Sequence, residues 1–334
     1  MDSPISPAET MTGLLAGFMT SQALYAVAKL DVLTFLDGGG LTLEELAERT
    51  GAHQDTLGRI IRTLAPLGVF TTNGELITAT ATGATLSRHH PESVYEIACF
   101  WMETSYLPFS ELTHTLRTGE TAATRYLGEP YVDWVTSDPE RAGLLSRAMA
   151  ALTAGLRQGL FSDYELPPGA VIADIGGADG SMLVELLQLF PDRRGIVLDL
   201  PTVAPLALQT MKQADLEGRV EVVAGDFFTE APIADIYVLS SVLHDWDDTD
   251  SIRILRTLSA VAASGSRLLI IENVVPAGDV ADMSKTSDLL MMGIAGGRER
   301  SVEEFATLLS EAEFQILGVV PSTGPYSVIE AQRQ

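Results

Sequence analysis

Residues 172–180 read Ile-Ala-Asp-Ile-Gly-Gly-Ala-Asp-Gly, and they carry the first recognisable chemistry in the chain. An apolar run, Val171–Ile175, enters a glycine cluster, and a helical pattern, Ser181–Phe190, leaves it. A strand, a loop and a helix start in that order bring free backbone N–H groups up to a ligand, as open α/β sheets do. Asp174 stands where the strand ends, and a carboxylate there suits a cationic ligand better than a pyrophosphate. Four later apolar runs also end on polar groups. Asp199, in Leu-Asp-Leu-Pro, falls about 20 residues past the loop, where a carboxylate can grip two ribose hydroxyls. Asp226, in Gly-Asp-Phe-Phe, can accept from an exocyclic amine, and Phe227 can cover an adenine face. The next run ends on Ser240-Ser241-Val-Leu-His244-Asp245-Trp246, and the last on Glu272.

Carboxylates on consecutive strand ends, an aromatic and a glycine loop describe a site for a cationic adenosine derivative. S-adenosylmethionine has a sulfonium, a ribose diol and an adenine, and it matches all of them. The Gly-x-Gly-x-x-Gly spacing of NAD sites, started at Gly176, would need glycine at Ala178 and Ser181, and Asp174 and Asp179 would repel a pyrophosphate. No Gly-Lys-Ser/Thr follows the loop, which disfavours ATP. No histidine pair with a carboxylate has metal spacing on one helix, so no metal is expected.

The elements that must hold these residues divide near Glu165-Leu-Pro-Pro-Gly169, the clearest linker signal. After it, runs at 171–175, 195–198, 220–224, 236–239 and 268–271 alternate with helical stretches. That pattern is a doubly wound parallel sheet with helices on both faces, closed by a hairpin of 314–319 and 327–330. Residues 166–334 therefore read as a Rossmann-like α/β domain of seven strands, the last hairpin antiparallel. Residues 1–165 read as mainly helical. Thr42 and Glu45 form a capping box for one helix, which Gly51 ends. A second helix runs from His53 to Leu67, and a hairpin turns at Asn73-Gly74. Helix, helix and hairpin make a winged-helix pattern. Residues 92–162 look helical in pieces.

The chain has 334 residues and a net charge of −24, a balance that repels phosphate backbones and anionic membranes. The acidity is even: 10 Lys/Arg face 20 Asp/Glu up to residue 165, and 11 face 25 after it, so neither half is a basic module. One cysteine, Cys99, excludes an intramolecular disulfide and a thiolate zinc cluster. Residues 11–30 are almost all apolar or small, but no apolar run approaches the roughly 18 residues that span a bilayer. Met1–Thr10 has no basic region before an apolar stretch, so no signal peptide is expected, and a cytosolic protein is the simplest reading.

Taken together, Asp-Ile-Gly-Gly-Ala-Asp-Gly, Leu-Asp-Leu-Pro, Gly-Asp-Phe-Phe, Val-Leu-His-Asp-Trp-Asp-Asp and Gly-Gly-Arg-Glu-Arg-Ser resemble, in order and spacing, the class I S-adenosylmethionine-dependent O-methyltransferases. The likeness is to the bacterial small-molecule type related to plant caffeic acid O-methyltransferases, and it covers nearly the whole chain. It implies that the N-terminal domain makes a homodimer and helps form the pocket for a small-molecule acceptor. It implies cofactor contacts at Asp174, Gly176, Gly177, Asp199, Asp226 and Phe227. Ser240 falls where plant relatives place a lysine near the cofactor. His244 would be the general base, with Glu272 and Glu299 flanking and orienting it. Met291 and Met149 fall on acceptor-lining positions, and Trp101, Tyr106 and Asp245 join them. Ala178 replaces the family's usual glycine, and Asp179 adds a carboxylate that should point away or bond the cofactor's ammonium.

The implied chemistry is O-methylation of an aromatic or polyketide-like hydroxyl. A phenol has a pKa near 10 and is a poor nucleophile until a base takes its proton. Histidine, with an unperturbed pKa of about 6.5, suits that task. Two alternatives stand beside it. The same fold and cofactor could serve a carbon or nitrogen acceptor, or chemistry other than methyl transfer. A winged-helix regulator would bind DNA, but its recognition helix has only Arg59 and Arg62, offset by Asp55, and the net charge opposes it.

Overall fold

The computed structural model describes residues 6–157, 159–161, 164–322 and 324–334. Residues 1–5, the start of the segment read as lacking a signal peptide, lie outside the described residues, as do 158 and 162 within the stretch read as helical. The chain forms two compact units: Met1–Ser110 with Tyr126–Gly155, and Glu111–Arg125 with Leu156–Gln334. It passes between them three times, where the sequence pattern pointed to one boundary at 165. The difference lies in the helix Leu112–Thr118, which packs on the Met291–Ala295 segment of the second unit.

The first unit carries the winged-helix pattern. Thr42 Oγ1 accepts from the Glu45 N–H at 3.2 Å, and Glu45 Oε2 accepts from the Thr42 N–H at 2.8 Å, so the capping box starts the helix Leu43–Thr50. The helix Gln54–Leu64 buries Leu57, Ile61 and Leu64 along one stripe. Strands β1 (Leu41–Thr42), β2 (Phe70–Asn73) and β3 (Leu76–Ala79) form a small sheet in the order β1-β3-β2. β1 was not expected, because two residues are too few for strand alternation to show.

Helices Pro7–Leu15 and Gly17–Lys29 open the unit, with Leu14, Leu15, Phe18 and Met19 exposed. The N-terminal apolar stretch is longer than the sequence pattern suggests. Pro7–Lys29, 23 residues, is long and apolar enough by composition to cross a membrane, since small residues extend the run of larger apolar ones.

The second unit is built on β4 (Val171–Ile175), β5 (Arg194–Asp199), β6 (Val220–Ala224), β7 (Ile236–Ser240), β8 (Arg267–Asn273), β9 (Phe314–Pro321) and β10 (Tyr326–Arg333). Their order is β6-β5-β4-β7-β8-β10-β9. The first five pair in parallel, and β10 runs antiparallel to both β8 and β9. The order reverses direction between β4 and β7, the place where open α/β sheets leave a crevice at their carboxyl ends. Helices cover both faces. On one, Leu239, Ile254, Leu258, Ile270 and Phe305 are buried together; on the other, Leu183, Leu186, Val197, Val238 and Ile271. A sheet apolar on both faces is rigid, so the polar residues at its strand ends have fixed positions.

Candidate active site

Asp174, the last residue but one of β4, is almost wholly buried, and its Oδ2 has no hydrogen-bond partner. Burial, and then the charges of Asp199 and Asp179, push this carboxyl up to about 7 against the opposing pull of Arg157. Gly177 crosses directly above it. A Cβ at 177 would lie 2.7 Å from the Asp174 carboxyl carbon, so only glycine lets the loop settle there. Gly176 takes φ +69°, and Ala178, two residues on, takes φ +47°, a left-handed conformation that costs an alanine what it would not cost the glycine usual at this position. The Ala178 N–H donates to Asp199 Oδ2 at 2.8 Å, and the Leu200 N–H to Asp199 Oδ1 at 2.7 Å. Asp179 neither points idly outward nor stays free: its Oδ1 caps the next helix by accepting from the Ser181 N–H at 3.0 Å.

Arg157 was missed by sequence reasoning. It sits in the last turn of the helix Pro139–Arg157, buried, and donates to Ser181 Oγ at 2.9 Å while its Nε has no partner. No spacing links it to the loop 20 residues later; only the fold does. Beyond β6, Asp226 Oδ1 accepts from the Phe228 N–H at 2.9 Å. Phe227 lies against the Gly176 backbone, edge-on to Trp246 at a ring distance of 6.2 Å. Trp246 also takes Phe228 edge-on at 4.7 Å. Ser240 closes β7 with a buried, unpartnered Oγ.

The loop after β7 carries His244 in a short 3-10 turn, Leu243–Asp245. Glu272, at the end of β8, holds that turn by its backbone. Its Oε1 accepts N–H donors from Val242 at 3.1 Å, Leu243 at 2.7 Å and His244 at 3.2 Å, while Oε2 has no partner. Burial pushes Glu272 up to about 7 despite His244 and Arg300 nearby. Glu299 takes the ring instead: its Oε1 lies 3.2 Å from His244 Nδ1. The same oxygen accepts from Ser287 Oγ at 2.6 Å and Asn273 Nδ2 at 3.3 Å. Burial opposes the Glu299 charge, but His244, Ser287 and Asn273 hold the carboxyl below its usual range. Asn273 and Ser287 are further support that no sequence signal marked.

With Nδ1 turned to a carboxylate, neutral His244 carries its proton there and presents a lone pair at Nε2. Asp245 Oδ1 lies 3.6 Å from Nε2, on a side chain that is 52% exposed. Burial disfavours the imidazolium, yet Asp245, Glu299 and Glu272 outweigh it and raise His244 to about 10. Met291 opens a π-helical segment, Met291–Ala295, a distortion common at functional sites. Trp101, Tyr106 and Met149 belong to the first unit. Trp101 opens a second π-helical segment, Trp101–Ser105, and is 38% exposed; Tyr106 and Met149 are half-buried.

The second unit thus sets an unpartnered buried carboxylate, a buried guanidinium, two further carboxylates and an aromatic ring around one glycine loop. These groups fit the ammonium, carboxylate, ribose and adenine of S-adenosylmethionine. The comparisons agree. Residues 109–315 match the O-methyltransferase domain model and residues 12–88 the O-methyltransferase dimerisation domain model. The phenazine O-methyltransferase PhzM of Lysobacter antibioticus is 34% identical over 321 residues, 96% of this chain and 94% of that one. The mitomycin biosynthesis 6-O-methyltransferase of Streptomyces lavendulae is 34% identical over 333 residues, covering 97% and 94%. The crystal structure of NcsB1, an O-methyltransferase from neocarzinostatin biosynthesis solved with S-adenosylmethionine and 2-hydroxy-5-methyl naphthoic acid, superimposes with a TM-score of 0.80 at 32% identity, covering 94% of this chain and 96% of that one. The chain belongs to the O-methyltransferase family. It is an S-adenosylmethionine-dependent enzyme with a dimerisation domain.

Proposed function

We propose that this enzyme methylates a hydroxyl of an aromatic or polyketide-like small molecule, with His244 as general base. The observation that carries the reading is the division of labour on one imidazole: Nδ1 bonds Glu299 at 3.2 Å, leaving Nε2 to take a proton. S-adenosylmethionine, when bound, supplies a sulfonium-activated methyl group. Asp174 would pair with its ammonium and Arg157 with its carboxylate. Asp199 would grip the ribose diol, Asp226 the adenine amine, and Phe227 the adenine face, with Gly176 and Gly177 admitting the backbone and Ser240 offering a free hydroxyl.

Methyl transfer leaves one proton to be removed from the acceptor oxygen, and Nε2 accepts it. Raised to about 10, His244 matches a phenol in basicity but must first lose its own proton: the neutral ring with Nε2 open is the minority form at neutral pH, so turnover should rise with pH. Glu299 then faces the imidazolium that forms and stabilises it. Asp245, half exposed beside Nε2, and Met291 would contact the acceptor. The dimerisation domain supports a homodimer.

The test is an incubation with methyl-labelled cofactor and a panel of phenolic and polyketide hydroxyls. A product heavier by one methyl, with an O-methyl carbon resonance, supports the proposal. Label found only on carbon or nitrogen overturns the oxygen assignment.

A further inference from the structure

Residues 297–300 grasp the His244 loop at more points than the ring. Gly297 runs so close that a Cβ there would fall 2.0 Å from the His244 carbonyl oxygen. The Arg298 N–H donates to that same oxygen at 2.8 Å. Glu299 takes the imidazole, and then comes Arg300, the largest wholly buried side chain of the described residues. Its Nη1 donates to the Leu243 carbonyl at 2.8 Å and its Nη2 to the Trp246 carbonyl at 2.8 Å. Those two carbonyls lie on either side of His244. Nε and Nη2 close on Asp248 Oδ1 at 3.1 and 2.9 Å, and Nη2 also reaches Ser251 Oγ at 3.2 Å.

A planar fork with five N–H donors can hold two carbonyls and a carboxylate at fixed angles, which a single ammonium on a flexible stem cannot. The fork also has a fixed base. The Arg300 carbonyl accepts from the Val275 N–H at 2.9 Å, just past the end of β8, the strand that carries Glu272. Glu272 grips the N–H groups of the turn and Arg300 its carbonyls, so the turn is clamped at both polarities.

We propose that Arg300 is a positioning residue for the reaction: by holding the Leu243 and Trp246 carbonyls it sets the His244 ring on Glu299 with Nε2 free. This rests on the reading of His244 as general base. The mechanism needs the ring angle kept within roughly 10–20°, and one hydrogen bond at Nδ1 leaves the ring free to swing with its backbone. Glu272 limits that freedom from the N–H side of the turn, and Arg300 limits it from the carbonyl side.

The test compares Arg300→Lys and Arg300→Gln in the wild-type and His244→Asn backgrounds, measuring kcat, cofactor Kd by calorimetry and the pH profile of kcat/KM. Arg300→Lys is expected to lower kcat at least ten-fold, to leave cofactor Kd within about two-fold, and to move the rising limb of the pH profile to lower pH as the Glu299 contact loosens. In the His244→Asn background the same substitution should add no further loss, because it acts through the missing ring. Wild-type kcat and pH profile in Arg300→Lys overturn the proposal. So does an equal loss in both backgrounds, or failure of both variants to fold, since either assigns Arg300 to the scaffold alone. Full turnover by His244→Asn itself would instead overturn the general-base reading, a result separate from any of these.

Discussion

At the scale of single residues, the site is a set of buried charges that would be costly anywhere else. His244, Glu272 and Asp174 all hold protons more tightly in the folded chain than in the unfolded one. The sign of the consequence is fixed. Between about pH 6.5 and 10 the folded chain keeps a proton on His244 that the unfolded chain has released. That stabilisation is complete below about 6.5 and gone near 10. Asp174 and Glu272, raised to about 7, act in the same direction at lower pH. The ligand-free protein should therefore melt at a lower temperature as pH rises, and His244→Gln should flatten the part above pH 7. Calorimetric melts of both proteins from pH 6 to 9.5 check this; identical slopes would contradict the His244 environment described. Asp174, Asp199 and Glu272 were legible in the sequence because each stands in the last two residues of a strand, and His244 because it follows one by four residues. No local pattern points to the contacts of Arg157, Asn273, Ser287 and Arg300, because their partners are brought together only by the fold.

At the scale of elements, the strand–loop–helix from Val171 to Leu189 carries Asp174, Gly176 and Gly177, three of the positions proposed to hold the cofactor. Its sequence predicted it closely, since a five-residue apolar run followed by glycines has few other structures. The two π-helical segments and the two-residue strand β1 could not be read that way, as neither changes local periodicity enough to show. The loop also makes a quantitative claim. If Asp174 pairs with the cofactor's ammonium, its carboxyl must give up the proton it holds up to about pH 7. Cofactor binding should then release a proton near neutrality and tighten from pH 6 to 8. Asp174→Asn should weaken binding roughly 10- to 100-fold, the worth of a charged hydrogen bond, and remove that pH dependence. Titration calorimetry in buffers of different ionisation heat measures both; no proton release would contradict the pairing.

At the scale of the whole molecule, the acidic balance and the division of the chain agree with a small-molecule enzyme carrying a dimerisation module. Leu14, Leu15, Phe18 and Met19 present large apolar side chains to solvent, and residues 12–88 match the dimerisation domain. If that face is covered by a second copy, Phe18→Asp should shift the protein toward monomer in sedimentation velocity, while an unchanged dimer would place the interface elsewhere. The domain boundary was the least legible large-scale feature. Leu112–Thr118 joins the second unit by packing on a segment nearly 180 residues later, and nothing local in its sequence marks that. The central claim is that one histidine takes the acceptor's proton while the strand ends hold the methyl donor. The most direct measurement is kcat for His244→Asn beside its cofactor Kd. The account predicts a fall in kcat of about 10²- to 10⁴-fold with Kd within about three-fold of wild type, whereas turnover close to wild type would contradict it.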